Sequence, residues 1–111
     1  MNHSTLHLTL SEAPFQVMVT GEKTIEFRKP SDWIKSRLFN SNGTRKEFDV
    51  VKFTHGYKKN APFFISIFNG FDTCKKKSLG KYSNGLEVSI EEGDILIYLG
   101  EILSSGNLKK N

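Results

Sequence analysis

Gly21-Glu22-Lys23-Thr24-Ile25-Glu26-Phe27-Arg28-Lys29 is the stretch on which the reading of this chain turns. A tight glycine turn followed by alternating apolar and polar residues is the pattern of a β-strand, whose side chains point alternately to its two faces. On that spacing Thr24, Glu26 and Arg28 share one face, Ile25 and Phe27 face the core, and Lys23 swings to either side of the turn. A Glu and an Arg two apart on one strand face can pair, which fixes the guanidinium plane for a phosphate or a base edge. The same spacing also describes an ordinary exposed strand with an ion pair worth under about 1 kcal/mol.

Working outward, His3 to Leu10 carries Leu6, Leu8 and Leu10 on one side and reads as a half-buried strand. Ser11 is a candidate N-cap, and Phe15, Val17, Met18 and Val19 make a short apolar helix that Gly21 ends. Downstream of the second strand, Ser31 and Asp32 can cap a short helix bearing Trp33, Ile34, Leu38 and Phe39, and Asn40 to Gly43 is turn material. Asp49 to Thr54 is a third strand. Pro62 to Phe71 is a central, strongly apolar one. Cys74 to Asn84 reads as a mobile Lys-, Ser- and Gly-rich loop, and Leu86–Ile90 and Ile95–Leu103 are the last strands. Five or six strands with one or two short helices predict an α+β domain, a small mixed barrel or curled sheet, filling 1–111 with its core over about 5–103.

The 111 residues fit one domain, and nine Phe with three Tyr and one Trp supply the bulky side chains that a sheet core needs. The lone Cys74 has no partner thiol, and no apolar run reaches membrane-spanning length, so the expected setting is the reducing cytoplasm, away from membranes. The net charge of +4 conceals an asymmetry: Glu22 to Tyr82 holds fourteen Lys or Arg against six acids, whereas Ser83 to Leu108 holds five acids and no cation. A basic middle is expected to attract a polyanion, although a solvated basic surface has the same composition.

Helix, then Gly21-x-Lys23-x-x-Glu26-x-Arg28, resembles the signature of the ASCH domain family, whose members carry such a motif on a PUA-like fold. The Gly93-Asp94 turn before Ile95 fits the same resemblance. It implies a PUA-like curled sheet and an RNA- or nucleotide-binding cleft lined by the motif. A few members are small hydrolases. Relatives that deacetylate acetylated cytidine share the motif Lys but carry Thr where Glu26 stands, so here a binding module is favoured. The alternative is an amidohydrolase on acylated cytidine, or a ribonuclease, with Lys23 as catalytic centre and Glu26 or Tyr57 assisting; a regulator that binds a host protein is a second alternative.

His55-Gly56-Tyr57-Lys58-Lys59 interleaves an aromatic with cations, which suits stacking bases and phosphates, or else Tyr57 packs sideways on the core. Trp33 is either a stacking platform or core. The expected ligand contacts are therefore Lys23, Glu26, Arg28, Lys29, Trp33, Tyr57, Lys58 and Lys59. Lys75, Lys76, Lys77 and Lys81 are weaker phosphate candidates, and Glu87, Glu91, Glu92 and Asp94 form either an acidic protein-binding face or a solvated hairpin. His3, His7 and His55 lack metal-ligand spacing, so neither metal nor cofactor is expected. No P-loop, dinucleotide fingerprint or nucleophile elbow is present.

Overall fold

The first strand, β1 (Thr5–Leu10), buries Leu6, Leu8 and Leu10 and leaves Thr5, His7 and Thr9 at or near the surface, as a half-buried alternation requires. The structure is a computed structural model and describes residues 4–108; His3 and the Lys109–Lys110 pair lie outside the described residues. Helix α1 (Glu12–Val19) buries Phe15, Val17 and Met18. Ser11 stands at its N-cap in extended conformation, yet its hydroxyl makes no capping bond. At the other end Gly21 takes the left-handed conformation (φ 87°) and its N–H reaches the Met18 carbonyl, which turns the chain into the motif.

β2 (Ile25–Arg28) leads through Lys29 and Pro30 to α2 (Asp32–Leu38), where Ser31 is the cap, its hydroxyl accepting from the Ile34 N–H at 3.2 Å. β3 (Val50–His55), β4 (Phe63–Thr73), the hairpin β5 (Ser78–Lys81) and β6 (Glu87–Ile90), and β7 (Ile95–Gly106) complete the chain. The main sheet runs β1-β3-β4-β7-β2. Only the β1–β3 pair is parallel. The register of β4 on β7 slips three times, between Ile65 and Phe71; such irregularities bend a sheet. The result is a strand-rich, curled half-barrel with two short helices, the mixed α+β class expected.

Phe53 and Phe64 stack at 5.0 Å between centroids, and Phe15 brings α1 onto Phe64 at 5.5 Å. Leu6, Ile34, Leu38, Val51 and Ile97 fill the same core at 2% exposure or less. One expectation fails at Cys74–Asn84. Ser78–Lys81 pairs with β6, and the tip beyond it is tied down: Ser83 donates to the Glu22 carboxylate, and the Asn84 amide donates to the Ala13 carbonyl and Gln16. A Lys- and Ser-rich stretch hides this strand, because its composition is that of a loop and the groups that anchor its tip, on Glu22 and α1, are remote in sequence.

Candidate functional site: a clasp and a cationic trough

β1 and β2 are the two ends of the sheet order, so each keeps one edge without a strand neighbour. The Ser4 carbonyl accepts from β3 while the Thr9 carbonyl accepts from Arg28. Because peptide groups alternate in direction along a strand, Thr5, His7 and Thr9 direct their backbone edges away from β3. On β2 the same alternation turns Ile25 and Phe27 away from β7, since Thr24 bonds the Leu99 N–H.

The motif side chains occupy these edges in place of a ladder. Lys23 Nζ donates to the Ile25 carbonyl at 2.5 Å, and the Phe27 N–H donates to Glu26 Oε1 at 3.1 Å. Arg28 Nη2 crosses to the Thr9 carbonyl at 2.8 Å and joins the two ends of the half-barrel. Glu26 holds the group together: Oε1 takes Lys23 Nζ at 3.1 Å, and Oε2 takes Arg28 Nε at 2.9 Å. Leaving these peptide groups unpaired in a partly closed seam would be costly, and the clasp satisfies them.

This geometry corrects the expected faces of β2. Glu26 is 6% exposed and Lys23 3%, whereas Ile25 and Phe27 are only half-buried. Strand alternation assigns residues to faces but does not say which face is interior, and in a half-barrel the polar clasp lies inside. Burial pushes the Lys23 ammonium below the usual lysine range; Glu26 opposes the shift and the Arg28 charge adds to it. With the Met18 sulfur at 3.6 Å as a third acceptor, Lys23 has a partner for each of its N–H groups. Arg28 differs. Its Nε and Nη2 are engaged, but Nη1 has no hydrogen-bond partner among the described residues.

Two cavities meet at this seam, and a third adjoins the second of them. One of about 290 Å³ lies over the clasp, between Lys29, Ser11 and Val88. The central one, about 700 Å³, is lined by Arg28, Arg37, Lys46 and Lys52, by Trp33 and Tyr57, and by the outward residues of β1. A third, about 320 Å³, is lined by Tyr57, Lys58 and Lys59. Among the described residues no carboxylate lines the central or the third cavity. Glu26 is the sole acid in the first, and both of its oxygens are engaged.

Tyr57 is 91% exposed, which excludes sideways packing on the core; Gly56 supplies the positive φ (88°) of the turn that projects it. Trp33 is 47% exposed and carries the Arg37 guanidinium over its ring at 5.1 Å, so it is not core. Lys58 and Lys59 are exposed on the same loop. His55 is half-buried, stacked on Phe15 at 5.6 Å. Lys29 borders the clasp cavity but pairs with buried Asp94 at 3.0 Å. The Asp94 carboxyl, held below the usual carboxylate range first by the Glu91 N–H and then by Lys29, braces the turn before β7.

Sequence reasoning missed Arg37, Lys46, Lys52 and His7. Arg37 was within reach, one helical turn beyond Trp33, and Lys52 lies between the buried Val51 and Phe53 of an alternating strand. Lys46 had no such signal. Among the described residues no cluster of His, Cys, Asp or Glu could hold a metal, and no helix is long and apolar enough to cross a membrane. Comparison of the chain with protein-family models, with curated proteins and with solved structures finds no match.

Proposed function

We propose that the protein is a non-catalytic module that binds RNA or a nucleotide-like ligand in the trough, with the motif acting in the manner of an ASCH domain. The observation that carries this reading is the central cavity: four cations and two exposed aromatic rings converge on it, and among the described residues no carboxylate does. Phosphates need the first, unstacked bases the second. Arg28 has the leading role, because Glu26 and the Thr9 carbonyl fix its plane and leave Nη1 for the ligand.

The hydrolase reading rests on one observation, a lysine with a lowered pKa beside the clasp cavity. Against it stand the engaged donors of Lys23: attack on a carbonyl would require leaving Glu26, Ile25 and Met18 together. Incubation with acetylated cytidine and with short RNA separates the two. Binding of RNA with neither substrate changed in mass is expected for the wild type. Product formed by the wild type and lost in Lys23→Ala would replace binding with catalysis.

A further inference from the structure

The three cavities are joined by shared walls. Thr9 and Arg28 line both the clasp cavity and the central one, while Lys52, Thr54 and Tyr57 line both the central cavity and the third. They therefore lie in one row, from Lys29 over the β1 edge to Lys58 and Lys59. Roughly 300–1,000 Å³ serves a single small ligand, so the central cavity alone would satisfy a mononucleotide. The flanking cavities are then surplus, yet Lys58 and Lys59 line the third with no carboxylate beside them among the described residues, and at the rim of the first Lys29, although paired with Asp94, keeps its side chain exposed.

From this row we infer that the ligand is a single-stranded polynucleotide threading three successive subsites, with Arg28 and Tyr57 at the two junctions, and not a mononucleotide held in one pocket. The inference rests on the proposed binding function and deepens it. Each junction suits a chain passing through. The Arg28 guanidinium is held in one plane at the first and offers Nη1 to a phosphate. At the second, the Tyr57 ring stands free beside Lys52, whose own side chain lies over Phe63 at 4.6 Å, with no carboxylate partner among the described residues. A duplex would hide its base faces from both Trp33 and Tyr57, so the strand is single.

The test is affinity as a function of length, using uridine monophosphate and oligouridylates of two to ten nucleotides at fixed low salt. Affinity is expected to climb steeply up to about four to six nucleotides, in the range of single-stranded sites on small β-domains, and then to grow only with the number of binding registers. Tyr57→Ala, at a position too exposed to disturb folding, removes a ring that borders both the central and the third cavity, so it should weaken the decamer by ten-fold or more and the dinucleotide by a clearly smaller factor. Arg28→Ala should weaken every length. Equal affinity for the monophosphate and the decamer, or equal loss in Tyr57→Ala at all lengths, would overturn the inference while leaving nucleotide binding intact. Failure of the monophosphate and of every oligonucleotide to bind would instead remove the proposed function beneath it.

Discussion

Two regions of this protein are rich in cations, and they differ in what surrounds them. On the β5–β6 hairpin, Lys81 faces Glu87 at 3.6 Å and Lys77 faces Glu91 at 3.7 Å, so positive charge is offset within the hairpin itself. Along the trough, Lys52, Lys58 and Lys59 have no carboxylate partner among the described residues, and Arg28 keeps a free edge even though Glu26 is bound to it. The local excess of positive charge between Glu22 and Tyr82 counts both regions alike. What distinguishes a surface built for a polyanion is the arrangement of the acids, which only folding reveals.

The largest expected effect breaks the clasp itself. Glu26→Leu leaves the Lys23 ammonium buried without its counter-charge and the Phe27 N–H without an acceptor. Losing one partner of a buried pair costs about 3–5 kcal/mol. Chemical denaturation should show the midpoint falling accordingly, and the double variant Lys23→Met with Glu26→Leu should recover part of the loss, because an apolar pair needs no compensation. If Glu26→Leu unfolds at the wild-type midpoint, Glu26 does not close the half-barrel.

The next contrast sets the trough against the hairpin. Arg28→Ala should weaken RNA binding by about 1–3 kcal/mol, the scale of a charge-assisted contact. Lys77→Ala and Lys81→Ala, measured in the same titration, should each stay within two-fold of wild type. Equal losses at Arg28 and at the hairpin lysines would mean that bulk charge, not the trough, attracts the ligand.

Much of this organisation was legible in the chain. The positions of six of the seven strands and of both helices along the chain followed from alternation, capping residues and the glycine turn, since those are local signals, whereas their order in the sheet did not. The Gly21–Arg28 stretch was identified as the informative one, and its Glu26–Arg28 pairing followed from spacing. Which face of β2 is interior was not legible, because it depends on how the sheet curls. Nor was the role of Lys23, whose acceptors include the outward carbonyl of an edge strand. Cys74–Asn84 misled for a similar reason: its composition is that of a loop, and its order comes from β6, the Gly93–Asp94 turn, the Glu22 carboxylate and α1.

The most direct test of RNA binding in the trough is the salt dependence of affinity for a single-stranded oligonucleotide, titrated between about 50 and 200 mM salt, where counterion release is steep. Each phosphate neutralised contributes about −0.7 to the log–log slope for a single strand. With cations in all three subsites engaged, a slope of about −2 or steeper is expected, shallower by roughly one contact in Lys52→Ala. An affinity that does not change with salt, or a slope untouched by Lys52→Ala, would contradict it.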